Sequence, residues 1–166
     1  ACAEQHYDVL DRADAFVEET LAPRTEEIES SREFPRDVVE AAGGAGLLGI
    51  LIPEEYGGLG PDFLSYCLAL ERIAAESGAV AETIQGHTFA TLPVLNFGTD
   101  DQRERLLPKM VAGESVGAML LTEPGAGSSP TELGTVAEAT DDGYRISGQK
   151  SFGTNAGVAD VHLVGA

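Results

Sequence analysis

Two short segments carry the residue types best suited to hold a ligand. The first is Thr122-Glu123-Pro124-Gly125-Ala126-Gly127-Ser128, which follows the apolar run Met119-Leu120-Leu121. The second is Lys150-Ser151-Phe152-Gly153-Thr154-Asn155. In the first, Pro124 restricts its own φ, while Gly125 and Gly127 let the backbone turn sharply and approach another molecule closely. Glycines beside small hydroxyl residues expose several N–H groups in one place, which suits a phosphate or a carbonyl-rich ring. The second segment sets an aromatic next to a glycine and a threonine, again after a strand-like run. An ordinary surface turn would use the same residues. Gly125-Ala126-Gly127 lacks the third glycine and the following helix of a dinucleotide fingerprint, and no Gly-Lys-Ser/Thr makes it a phosphate-binding Walker loop.

The wording of these segments narrows the choice. Leu-Thr-Glu-Pro-Gly-Ala-Gly-Ser, followed by Gly-Gln-Lys-Ser-Phe-Gly-Thr-Asn-Ala-Gly-Val-Ala-Asp, resembles the flavin-binding middle domain of the acyl-CoA dehydrogenase family. Pro53-Glu54-Glu55-Tyr56-Gly57-Gly58-Leu59-Gly60 resembles that family's early loop, and Phe97-Gly98-Thr99-Asp100-Asp101-Gln102 the turn before its last N-terminal helix. The resemblance implies an α+β chain: an all-α N-terminal domain over residues 1–114, then the start of an antiparallel β domain over 115–166. Family members have a further helical C-terminal domain, so the sequence reads as a fragment.

The resemblance also implies chemistry. FAD would be the cofactor, contacted by Met119, Leu121, Thr122, Gly127, Ser128, Phe152, Gly153 and Thr154, with Thr154 near the reactive flavin edge. Ser128, Thr88, Leu92 and Leu95 would meet the substrate, an acyl-CoA or another acyl-carrier thioester. In the family's reaction a carboxylate removes the α-proton while the β-hydride passes to the flavin. That carboxylate lies in the C-terminal domain, so no catalytic residue is expected in this chain. Electron-transfer flavoprotein or oxygen would be the acceptor, and the complete protein would be a homo-oligomer. An acyl-CoA oxidase, an acyl-carrier-protein dehydrogenase and a non-catalytic structural subunit share these motifs. The sequence departs from the family at Ser129, where Asp is usual, and at Phe152-Gly153, where Trp-Ile is common.

Composition excludes other classes. The 28 acidic and 10 basic residues among 166 leave a formal charge of -18, the wrong sign for nucleic acid or an anionic membrane surface. No apolar run is long enough to span a bilayer and no signal-peptide pattern opens the chain, so a cytoplasmic setting is the expectation. Cys2 and Cys67 have neither metal nor redox spacing.

Helices must position these segments. Residues 5–31 show a helical apolar stripe that Pro23 should kink or end, and its many carboxylates read as a solvated face. A second helix is expected over 36–46, closed by Gly43, Gly44 and Gly46. A third, over 62–77, has Asp62 as N-cap and a stripe at 63, 64, 67, 68, 70, 73 and 74 that would bury Cys67. No charged residue occurs between Thr83 and Thr99, which predicts the most buried helix of the domain. His87 there reads as a hydrogen-bonded core residue rather than a base. Gly98 ends it, and Thr99 with Gln102 forms a capping box for a helix over 100–112. Strand-like runs follow at 116–121, 134–140, 144–147 and 160–164, with Asp141-Asp142-Gly143 turning a hairpin. Glu123, ahead of a proline, reads as a brace for its turn.

Overall fold

The computed structural model describes residues 4–60, 62–129 and 131–166; Cys2 lies outside them. Among the described residues six α-helices are followed by four short strands: α1 (Glu4–Phe16), α2 (Thr25–Ser31), α3 (Arg36–Gly44), α4 (Phe63–Glu76), α5 (Gly78–Phe97), α6 (Asp100–Val111), β1 (Gly117–Leu120), β2 (Val136–Thr140), β3 (Gly143–Ser147) and β4 (Val161–Val164). The expected break at Pro23 occurs, but it starts upstream. Val17–Leu21 is wound as a π-turn and Ala22–Arg24 as a 3-10 turn. A proline clashes with the carbonyl four residues before it, and loosening the preceding turn is one way to relieve that clash.

The helical core gathers Val9, Ala13 and Phe16 of α1, Val38, Val39 and Ala42 of α3, and Leu47 through Ile50. Ile73 of α4 and Val80 and Ile84 of α5 complete it. Both capping expectations hold. The Asp62 carboxylate accepts from Leu64 N–H at 3.1 Å, and Thr99 and Gln102 cap α6 reciprocally.

The buried face of α4 differs from the expected stripe. Ser65, Tyr66, Ala69 and Ile73 face inward, whereas Phe63 and Leu64 are exposed and Cys67 is an exposed free thiol. The cap sets this rotation, because Ser65 donates its hydroxyl to the Asp62 carboxylate and so turns inward beneath it. A polar residue satisfied locally loses little by burial.

α5 is likewise two-faced rather than buried all round. Val80, Ile84, His87, Thr91 and Val94 are buried, while Phe89 and Phe97 are exposed. Among the described residues no helix is long and apolar enough to cross a membrane.

In the β part, β2 and β3 form the expected antiparallel hairpin, with Thr140 opposite Gly143 across a two-residue Asp141–Asp142 loop. β1 departs from an antiparallel sheet: it pairs parallel with β4, Gly117 opposite Val161. Parallel neighbours need a long crossover, and the segment between β1 and β4, hairpin included, supplies it.

Polar contacts join the strands to the helices. Arg36, opening α3, reaches the Asp160 carboxylate at 3.0 Å and the Val158 carbonyl at 2.8 Å. Asp160 also accepts from Val116 N–H at 2.8 Å. That amide, with Arg36 adding to it, holds the Asp160 carboxyl below its usual range.

Candidate functional site

A cleft of about 500 Å³ opens between α5 and the segments singled out in the sequence. Its α5 wall is Glu82, Gly86, Phe89, Leu92 and Pro93. Residues 82, 86, 89 and 93 recur at helical spacing, so they share the face opposite the buried stripe. The facing wall is Met119, Leu121 and Thr122 from β1 and its extension, with Ser151, Phe152 and Thr154 from the later loop.

The two strands of chain in that second wall are tied together. Ser151 N–H donates to the Thr122 carbonyl at 2.9 Å. Asn155, at φ 65, spans the junction: its amide donates to the Thr83 carbonyl at 2.9 Å and the Gly117 carbonyl at 3.2 Å. Gly86 is what allows this approach, since a Cβ there would lie 2.6 Å from Thr154 Cγ2. Gly153 is equally constrained, because a Cβ would meet Leu120 Cδ2 at 2.5 Å.

His87 sits behind the α5 wall. Its Nδ1 accepts from Gly117 N–H at 3.0 Å, pinning the start of β1 to the helix. The ring is fully buried and Nε2 makes no hydrogen bond of regular geometry. Burial lowers its pKa to about 4, with the Met110 carbonyl opposing weakly. This is the core histidine that the sequence implied.

Glu123 braces the glycine-rich turn, as its position before Pro124 suggested. Its carboxylate accepts from Lys150 Nζ at 2.8 Å, Gly134 N–H at 2.6 Å, Thr135 N–H at 2.9 Å and the Thr135 hydroxyl. Lys150 also donates to the Leu121 carbonyl at 3.1 Å. The side chains are only 9% (Glu123) and 11% (Lys150) exposed. Lys150 first, then the Thr135 hydroxyl and the Gly134 amide, lower the Glu123 pKa to about 2. A carboxylate with four donors is a poor proton acceptor and a good structural tie.

The structure therefore brings Met119, Leu121, Thr122, Phe152, Thr154 and Leu92 into one cleft, with Gly153 packed just behind it. Four of the named residues lie elsewhere. Gly127 and Ser128 are exposed on the turn, and a Cβ at Gly127 would meet nothing within 4 Å. Within this chain Gly127 thus has no need of glycine. Thr88 is buried and donates to the Ile84 carbonyl at 2.9 Å, so it faces the core instead of the cleft. Leu95 is half-buried away from the cleft lining. The cleft residues that the sequence reading gave no role are Glu82, Gly86, Phe89 and Pro93 on α5, for which a second helical stripe was the available signal, and Ser151 on the later loop.

The walls suit the ring end of a flavin. Phe152 is held at φ 55 and is 94% exposed, an aromatic face left open by the described residues. Met119, Leu121, Phe89 and Pro93 make the remaining surface largely apolar, with the Thr122, Ser151 and Thr154 hydroxyls at its edges. A concave apolar surface with a few convergent polar groups defines a small-molecule site.

The family description "Acyl-CoA dehydrogenase, N-terminal domain" matches residues 3–114, and "Acyl-CoA dehydrogenase, middle domain" matches residues 118–166. An acyl-CoA dehydrogenase of Bacillus subtilis is 39% identical over 149 residues, covering 89% of this chain and 39% of the relative. A structure solved for the electron transferring flavoprotein of Acidaminococcus fermentans superposes with a TM-score of 0.93 at 36% identity, covering 99% of this chain and 43% of that one. An acyl-CoA dehydrogenase of Bacillus anthracis, solved complexed with FAD, gives 0.89 at 33% identity, covering 98% and 28%. This chain belongs to the acyl-CoA dehydrogenase family. It spans about two fifths of the length of the curated relatives it matches.

Proposed function

We propose that the protein containing this chain is an FAD-dependent acyl-thioester dehydrogenase that introduces an α,β double bond into an acyl-CoA. Residues 1–114 would be its helical domain and 115–166 the opening part of its β domain. The observation that carries this reading is the cleft itself, walled by α5 on one side and by Met119, Leu121, Thr122, Phe152 and Thr154 on the other. FAD, when bound, supplies the hydride acceptor.

This chain's residues do the holding. Met119, Leu121 and Phe152 flank the ring and keep water from it; Thr122 and Thr154 offer hydroxyls at its edge. Gly127 and Ser128, on the exposed turn, stand where a longer part of the cofactor or the thioester carrier would extend. Leu92, with Phe89, offers apolar surface for the acyl group. The α-proton leaves to a carboxylate outside this chain, because Glu123 is committed to its four donors. An electron-transfer flavoprotein is the acceptor we favour, in line with the Acidaminococcus neighbour. We also propose self-association and a cytoplasmic or organelle-matrix setting, as bacterial and mitochondrial relatives suggest.

The full-length protein should purify with flavin absorbance that bleaches when an acyl thioester is added without air. A flavin-free protein would sink the proposal. Thr154→Val should reduce the rate of flavin reduction while costing ~1 kcal/mol or less in stability, since a single exposed-side hydroxyl is removed from a nearly isosteric side chain. Stopped-flow reduction compared with a denaturant melt checks this, and an unchanged reduction rate would remove Thr154 from the site.

A further inference from the structure

We infer that Glu82 is a positioning residue: it sets which way the Thr154 hydroxyl donates, and so biases the bound flavin toward its reduced form. This deepens the function proposed above and rests on it, since in that reading the Thr154 hydroxyl stands at the ring's edge. Thr154 and Glu82 lie on opposite walls of the cleft, and the hydroxyl donates to Glu82 Oε1 at 3.0 Å. A hydroxyl has one proton, and an ionised carboxylate can only accept. With that proton committed to Glu82, the Thr154 oxygen offers the cleft only its lone pairs. Among the described residues no other group accepts the proton.

The seat of Thr154 preserves this arrangement. Its methyl lies so close to Gly86 that a Cβ there would come within 2.6 Å of it. Glu82 and Gly86 are one turn apart on the same face of α5. Threonine is stiff about its Cα–Cβ bond, so the methyl on Gly86 and the hydroxyl on Glu82 fix each other. Asn155, bonded to the Thr83 and Gly117 carbonyls, holds the backbone alongside.

A flavin's reactive ring nitrogen accepts hydrogen bonds when oxidised; once it has received a hydride it is an N–H donor. An edge hydroxyl limited to accepting therefore favours the reduced ring, and one free to donate favours the oxidised ring. The charge of Glu82 acts in the opposite sense, because it repels added electrons. Truncating the side chain separates the two effects by sign.

Glu82→Ala is the variant of choice, since the side chain is exposed and alanine suits a helix. In the full-length protein, the two-electron potential of the bound flavin would be measured by equilibrium titration against reference dyes. E82A should shift the reduction equilibrium about tenfold toward oxidised flavin, the scale of one hydrogen bond, which corresponds to a fall of ~30 mV. In a Thr154→Val background the same substitution should leave the potential unchanged or raise it, because only charge is then lost. A potential that E82A leaves unchanged or raises while Thr154 is present would overturn the inference, as would an equal fall in both backgrounds. Absence of flavin from the full-length wild type would instead count against the dehydrogenase reading.

Discussion

Lowering the pH from 6.5 to 4 should remove about 3 kcal/mol of folding stability through His87 alone. The sign follows from where the protons bind. In the unfolded chain the imidazole titrates near 6.5, whereas burial in the fold lowers its pKa to about 4. Between those values the unfolded state takes up a proton that the folded state refuses, so stability is full above pH 6.5 and falls as the pH drops through 4. Protonation would also turn Nδ1 from acceptor into donor, against the Gly117 N–H that now points at it. The acid response of Glu123 lies lower, with stability lost from about 4.5 down to about 2. Denaturant melts at steps between pH 7 and 4, on wild type and His87→Gln, separate the histidine from the rest of the chain. Glutamine retains an acceptor but does not titrate, so its stability should fall less steeply. Parallel curves for the two proteins would show that His87 is not the group responsible.

Replacing Gly86 by valine should uncouple the loop that carries Phe152 and Thr154 from the helical domain. Even one added carbon would sit 2.6 Å from Thr154 Cγ2 and 2.9 Å from Thr154 Cβ, where real side chains do not pack. Thr154 cannot yield by a simple rotation, because its neighbour Asn155 is bonded to both the Thr83 and Gly117 carbonyls. The loop must therefore move away from α5, giving up those bonds and widening the cleft. Overpacking of this sort typically costs ~1–3 kcal/mol. The functional loss should be larger than the stability loss, with flavin affinity down at least tenfold, since Phe152 and Thr154 move with the loop. Gly127→Ala is the control for stability: its surroundings are open, and its φ is not in the left-handed region. Flavin content and melting curves of the full-length variants decide the matter. Wild-type flavin affinity in Gly86→Val would show that the loop's seat on α5 does not shape the site.

Much of this was legible in the order of residues. Caps and turns are local, so Asp62, Thr99 with Gln102, and the Asp141–Asp142 loop appear where the side chains that form them stand. The motif residues at Met119–Thr122 and Phe152–Thr154 were likewise identifiable, and the brace at Glu123 followed from its place before a proline. The sides of α4 and α5 that face the core were not. Phe63, Leu64 and Cys67 were expected inside because they are apolar; they face outward because Ser65, bonded to the Asp62 cap, takes the inward position. Thr88 and Glu82, six residues apart on α5, were sorted in the same way. One points into the core and one into the cleft, because His87 must reach the amide of Gly117 thirty residues on. Local propensity is written in neighbouring residues, but which face of a helix meets which strand depends on contacts between distant ones, and only the folded chain brings those together.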